Sequence, residues 1–144
     1  MGKLIVIEGL DGAGKTTQTA IVAEELRREG RDVRVISFPD YKSESAALVN
    51  MYLRGEFGEK PEDVNAYAAS SFYAVDRYSS YMKDWKEFYE RPDSVVIATR
   101  YTTSNEIYQL AKTERENWDD FIDWARTSRK LWTIKEPMQS IRAV

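Results

Sequence analysis

Gly9-Leu10-Asp11-Gly12-Ala13-Gly14-Lys15-Thr16 decides how the chain is read, because it satisfies the spacing G-x-x-x-x-G-K-[ST] of a phosphate-binding loop. Its neighbours supply the context such a loop needs. Leu4-Ile5-Val6-Ile7 is a short apolar run, as a strand buried on both faces should be. From Lys15 to Arg28, Ala20, Ile21, Ala23 and Leu26 recur at helical spacing, and Gly30 stands where a helix should stop. In a strand, loop and helix of this kind the glycines let backbone N–H groups turn inward around phosphate oxygens. The helix N-terminus adds partial positive charge, and Lys15 reaches the β- and γ-phosphates of a nucleotide. Gly9, Asp11, Gly12, Ala13, Gly14, Lys15, Thr16 and Thr17 are therefore the candidate cradle for ATP, with the Thr16 hydroxyl as candidate ligand of Mg²⁺. The structural alternative is a Gly-rich strand-to-helix turn that carries a lysine.

With 144 residues, 42 % hydrophobic and 31 % charged, the chain has material for one domain with a sizeable core, spanning 1–144. A net charge of −3 points to neither a nucleic-acid surface nor a membrane surface, so an anionic substrate must be met by local positive charge. The absence of Cys removes disulfides, thiol catalysis and Cys-ligated metal. The absence of His removes imidazole bases and His-ligated zinc. What is left is chemistry by positioning and electrostatics. The N-terminal apolar run is too short for a signal peptide or a membrane span, and Gly2 lacks the downstream Ser/Thr of a myristoylation signal. A soluble cytoplasmic protein is the expectation.

Further along, Val33-Arg34-Val35-Ile36-Ser37-Phe38 predicts a second strand ended by Pro39, so that strand, helix and strand form a right-handed βαβ unit of a parallel sheet. Ala46 to Leu53 predicts a short helix. From Glu62 to about Tyr89, Val64, Tyr67, Ala68, Phe72, Val75, Tyr78, Met82 and Trp85 keep three- and four-residue intervals and predict one long helix, closed by Pro92-Asp93. Ser94-Val95-Val96-Ile97-Ala98 is a third buried strand. It delivers Thr99-Arg100-Tyr101 to the carboxyl end of the sheet, where open α/β sheets bind ligands. Two more helices are expected over Ser104 to Lys112 and Trp118 to Trp124.

Four residues in these elements invite a chemical reading. Asp11 opposes phosphate inside an anion-binding loop, so it faces either a hydroxyl of a second substrate or nothing more than its own turn. Tyr73 and Arg77 lie one helical turn apart on one face, where a ring can stack on a base and a guanidinium can donate to an oxygen; core packing for Tyr73 and pairing of Arg77 with an acid such as Asp76 are the alternatives. Arg100 ends a buried strand beside the loop, where an unpaired arginine is rare.

Taken together, the loop with its acidic position, Phe38-Pro39, Tyr73-Ala74-Val75-Asp76-Arg77, and Arg100-Tyr101 with Ser104-Asn105 and Tyr108-Gln109 resemble the thymidylate kinase family from about Lys3 to about Trp124. The resemblance implies an α/β fold of the P-loop NTPase type, nucleoside monophosphate kinase-like, with helices on both faces of a parallel sheet. It implies transfer of the ATP γ-phosphoryl group to thymidine monophosphate with Mg²⁺, and a homodimer, since similar enzymes are homodimers. By the same resemblance Asp11 meets the acceptor 3′-hydroxyl, Tyr73 stacks on thymine, and Arg77 contacts the base. Arg100 grips the acceptor phosphate, Phe38 belongs to the acceptor site, and Asn105 and Tyr108 border the base and sugar. Lys15, Arg100 and Asp11 are the implied catalytic set. The rivals are another nucleoside or nucleotide kinase, and a nucleotide-binding module without efficient turnover.

The chain departs from the family pattern in three places. Thr99 stands where most members have Asp, Tyr41 and Lys42 follow Phe38-Pro39 where many carry an arginine, and Gly12 replaces the loop arginine of one class. Past Trp124 no buried-strand run and no arginine-bearing lid are legible, so the sheet is expected to be incomplete at its C-terminal side, with 125–144 a divergent or truncated tail. Lys135-Glu136-Pro137-Met138-Gln139-Ser140, suitably encoded and read in a shifted frame, spells Arg-Ala-Asp-Ala-Ile or Arg-Ala-Asp-Ala-Val, similar to the segment that leads into the family's fourth strand. A frame slip or truncation near residue 125 is the expectation, against a natural variant with its own C-terminus. Sequencing the coding DNA tests it: the shifted frame should continue in family-like sequence, and a shifted frame without any removes the frame slip.

Overall fold

Every residue from Leu4 to Ile7 is apolar, and strand β1 (Lys3–Glu8) buries Leu4, Val6 and Ile7 in the structure, a computed structural model that describes residues 1–131 and 138–142. The chain divides into two compact units. One is built on Met1–Phe38, Tyr81–Tyr101 and a C-terminal strand; the other on Pro39–Ser80 and the described part of 102–134.

In the first unit β1, β2 (Asp32–Ser37), β3 (Ser94–Thr99) and β4 (Met138–Arg142) form one parallel sheet in the order β2-β3-β1-β4. The apolar run Val95 to Ala98 takes a central place and is buried throughout, as a parallel strand covered on both faces requires. β1 and β2 are therefore not neighbours; each pairs with β3, with Ile7 opposite Thr99 and Ser37 opposite the same residue. Helix α1 (Lys15–Arg28) has the bounds that its periodicity and Gly30 predict. It sets Ala23, Val22 and Leu26 against Ile5, Ile7, Val33, Val95 and Ile97.

Beyond the three strands read from the sequence there is a fourth: Met138–Arg142 runs parallel to β1, from Leu4 opposite Met138 to Glu8 opposite Arg142. It lies at the sheet edge, and its sequence holds no continuous apolar run.

The helix expected over 62–89 is not uniform. Pro61–Asp63 is a 3₁₀ turn, Val64 is extended, and α3 (Ala66–Ser80) begins after Asn65, whose Oδ1 accepts the Ala68 N–H at 2.9 Å. Tyr81–Trp85 is π-helical and precedes α4 (Lys86–Tyr89). The apolar spacing survives a π turn, which adds one residue without removing the hydrogen-bonded helix, so periodicity alone does not reveal it. Within the first unit this stretch inserts Trp85 and Tyr89, both fully buried, with ring centroids 5.7 Å apart and edge to face.

The second unit is helical among its described residues: α2 (Ala47–Leu53), α3, α5 (Thr102–Leu110) and α6 (Trp118–Leu131). α6 outlasts its expected end at Trp124. Its Phe121 and Trp124 pack edge to face on Tyr67, at 5.4 and 4.9 Å. Lys112 ties the 3₁₀ turn to the helices by donating to the carbonyls of Pro61 (3.1 Å) and Val64 (2.8 Å) and to the Tyr52 hydroxyl (3.0 Å).

Asp76 is wholly buried in α3. Its carboxylate accepts the Ser45 hydroxyl at 2.6 Å and the Asp40 N–H at 3.3 Å, which fastens the segment after Pro39 to the helix. Loss of solvent pushes its pKa above the ordinary 3.8; the Ser45 and Asp40 hydrogen bonds oppose that rise, the Asp40 charge adds to it, and Arg77 opposes it. A carboxyl whose pKa is raised by folding contributes stability that is complete below 3.8 and is lost as pH rises through the raised value. The stability of the wild type relative to Asp76→Asn should therefore fall with increasing pH and then level off. Urea unfolding of both proteins at a series of pH values from about 4 to about 8 checks the sign.

Candidate active site

The loop between β1 and α1 is shaped by its glycines. Gly12 and Gly14 have φ of 79° and 76°, and a Cβ added at either would meet nothing within 4 Å. Backbone conformation, not crowding, is what requires glycine there. Gly14 is the residue from which α1 starts. No side chain caps the helix, and no acid lies in its first turn. The positive end of the helix is thus left to an external anion. Thr16 and Thr17 are exposed in that first turn.

Lys15 is buried, and its Nζ donates to the carbonyls of Gly9 (3.0 Å) and Leu10 (2.6 Å). The loop's own oxygens hold the ammonium under the turn that the glycines create. Thr16 is the one candidate metal ligand read from the sequence, and no group of three or more acids, Cys or His able to hold a metal exists among the described residues. This donor set fits Mg²⁺ taken with a nucleotide, because that ion keeps several waters and binds through substrate phosphates with one or two protein groups.

Register brings Arg100 to the same loop. Its N–H donates to the Ile7 carbonyl at 3.0 Å, the last bond from β3 to β1. Arg100 then takes φ 64°, a left-handed conformation unusual for a non-glycine residue, and its guanidinium pairs with the Asp11 carboxylate. Asp11 and Arg100, read separately from sequence, are thus partners. Just past the turn the Tyr101 N–H donates to the Glu8 Oε1 at 2.9 Å, and Glu8 is buried. Phe38 is also buried; its N–H donates to the Thr99 carbonyl (3.0 Å) and its ring lies 5.7 Å from that of Tyr101. Thr99, in place of the family's Asp, shares a 3.3 Å hydrogen bond with the hydroxyl of buried Thr19 on α1.

The remaining candidates belong to the second unit. Tyr73 is half-buried on α3, edge to face with Tyr52 at 6.4 Å, and Arg77 is half-buried one turn on. On α5, Asn105 Nδ2 donates to Ser70 Oγ at 3.0 Å while its buried Oδ1 has no hydrogen-bond partner among the described residues, and Tyr108 is exposed. Gln109, in the Tyr108-Gln109 motif, is buried, and its Oε1 also has no hydrogen-bond partner among the described residues. Glu8 is not singled out by the sequence motifs. The signal for it was present: a carboxylate closing an otherwise apolar strand at the ligand-binding end of the sheet.

A strand, a glycine-shaped loop closed over a buried lysine, and an arginine delivered beside it by the neighbouring strand define the class of parallel α/β proteins of the phosphate-loop, nucleoside monophosphate kinase type. Solved structures agree on the fold. Thymidylate kinase from Candida albicans superposes with a TM-score of 0.76 at 24 % identity, covering 99 % of this chain and 63 % of that one; the enzyme from Ehrlichia chaffeensis gives 0.70 at 22 % identity, covering 99 % and 75 %. In sequence, residues 7–125 match the model of the family described as thymidylate kinase. Thymidylate kinase of Mycobacterium tuberculosis is 34 % identical over 130 residues (85 % of this chain, 59 % of that protein), and that of Homo sapiens 30 % over 125 residues (87 % and 53 %). The chain belongs to the thymidylate kinase family. It spans about half the length of the curated relatives it matches.

Two substitutions separate the roles of the loop and the strand end. Lys15→Ala should weaken ATP binding and lower any phosphoryl transfer by about 10²–10³-fold, the scale for loss of one preorganised charge-stabilising group. Arg100→Ala should weaken nucleoside monophosphate binding and leave ATP affinity nearly unchanged. Calorimetry with each ligand checks the split; equal losses of both ligands in Arg100→Ala would make that arginine a structural residue.

Proposed function

We propose that the protein transfers the γ-phosphoryl group of ATP to thymidine monophosphate, giving ADP and thymidine diphosphate. The observation that carries this reading is the convergence on one loop of buried Lys15 and of Arg100, in a chain whose residues 7–125 match the thymidylate kinase family.

A phosphate oxygen of the monophosphate, already anionic, attacks the γ-phosphorus in line; the bond from that phosphorus to the β–γ bridging oxygen breaks, and ADP leaves with the electron pair. No protein base is required, which suits a chain without His. The cradle from Gly9 to Thr17 receives the ATP phosphates, and Lys15 exchanges the Gly9 and Leu10 carbonyls for phosphate oxygens as charge develops. Mg²⁺, held by Thr16 and the nucleotide, would neutralise charge on the transferred group. Arg100 orients the acceptor phosphate with its planar fork, and Asp11, released from that guanidinium, accepts from the acceptor 3′-hydroxyl. Tyr73 and Arg77 read the base, Asn105 and Tyr108 border base and sugar, and Phe38 supports the acceptor site from its buried place. The partners in this reading are small molecules and a second copy of the chain in a homodimer, with neither nucleic acid nor membrane involved, in the cytoplasm. Among the described residues no helix is long and apolar enough to cross a membrane.

A coupled assay of ADP release with a panel of monophosphates tests the reading. Thymidine monophosphate should be phosphorylated well ahead of adenosine and cytidine monophosphates; equal use of all three would refute the thymidylate assignment.

A further inference from the structure

Arg100 holds its position against its own backbone preference. Left-handed φ in a residue with a Cβ costs free energy and persists only where neighbouring contacts over-determine it. On its N-terminal side the contact is the last rung of the sheet, from the Arg100 N–H to Ile7 O. On its C-terminal side the chain has left the ladder, and the Tyr101 N–H is buried and must find an acceptor. It finds the carboxylate of Glu8, one residue past Ile7 on β1. Glu8 is itself 8 % exposed, so breaking the contact would remove a hydrogen bond between two buried groups.

We infer that Glu8 is a positioning residue for the acceptor phosphate: by accepting the Tyr101 N–H it locks the left-handed turn at Arg100 and so aims the guanidinium at the loop. The inference rests on the assignment of Arg100 to that phosphate, and it gives Glu8 no contact with substrate. Because only an acceptor oxygen is needed, an amide can replace the carboxylate, whereas a side chain of equal bulk with no oxygen cannot.

The test compares Glu8→Gln with Glu8→Met, each alone and combined with Arg100→Ala, in the full chain. Calorimetry with thymidine monophosphate and with ATP reads binding, and amide hydrogen exchange at Tyr101 reads the contact without any ligand. Glu8→Met should weaken thymidine monophosphate binding by about tenfold, as loss of one charge-assisted hydrogen bond predicts. It should change ATP affinity by less than about twofold, within the near-unchanged range expected for an uncoupled site. Exchange at Tyr101 should accelerate in Glu8→Met, and Glu8→Gln should recover most of both effects. In the Arg100→Ala background Glu8→Met should cost no further affinity, because the two act through one path.

Equal losses of ATP and monophosphate, additive losses with Arg100→Ala, or wild-type binding and exchange in Glu8→Met would each overturn the inference. So would a Glu8→Met chain that fails to fold while Glu8→Gln folds, since that would make Glu8 a residue of stability. If the wild type binds no thymidine monophosphate, the proposed function fails; exchange at Tyr101 then still decides whether Glu8 holds the turn.

Discussion

Five register pairs between β1 and β3, from Lys3 opposite Val95 to Ile7 opposite Thr99, are the constraint on which the candidate site depends. Because the strands are parallel and end together, whatever follows Ile7 lies beside whatever follows Thr99. One continuation is the glycine loop with Lys15, the other is Arg100 and Tyr101. The ladder is protected by apolar side chains on both faces: Leu4, Val6, Val96 and Ala98 at 0–2 % exposure alternate with Ile7, Val95 and Ile97, which meet α1. A slip of one residue would exchange these two sets and carry Arg100 away from the loop. Hydrophobic pattern, through register, thereby places charge.

At the ends of these strands the chain buries polar groups, and each has a partner that restrains the loop or the turn. Lys15 is held by two loop carbonyls, Glu8 by the Tyr101 N–H, Thr19 by Thr99. A buried group of this kind costs free energy unless it is hydrogen-bonded, so each bond is tied to the backbone path that makes it possible. The Asp11–Arg100 pair is different. Asp11 is 81 % exposed, and an ion pair so open to water adds little stability. Its consequence is chemical: two groups of opposite charge remain beside the loop, available to exchange each other for ligand atoms at small cost.

Local signals carried most of the fold. Gly30 and the 3.6-residue pattern are sufficient for the bounds of α1, and the run Ser94 to Ala98 announces a doubly buried strand. Relations between distant residues were less legible. Nothing near Asp76 in sequence indicates that Ser45 and the Asp40 N–H, and not simply the adjacent Arg77, complete its environment. The pairing of Asp11 with Arg100 spans 89 residues and exists only through the register of two strands. β4 was hidden because its sequence holds no continuous apolar run, and the π turn at Tyr81–Trp85 because it preserves apolar spacing. In each case the pattern of side chains is compatible with two backbones, and hydrogen bonding chooses between them.

Thr99 shows how a departure from a family pattern is absorbed. Most family members carry a carboxylate at the end of this strand; here a hydroxyl occupies the position and bonds to Thr19, one turn beyond Thr16 on α1. A hydroxyl both donates and accepts, so the Thr19–Thr99 contact is satisfied without a charge and fastens β3 to the helix that carries the candidate metal ligand. Glu8, on the adjacent strand, keeps a buried carboxylate in this part of the first unit, but engages it with backbone at Tyr101. The negative charge left exposed beside the loop is then that of Asp11, already paired with Arg100. Of the two acids, Glu8 engages backbone and Asp11 a guanidinium, while the uncapped positive end of α1 and Lys15 attract an incoming phosphate.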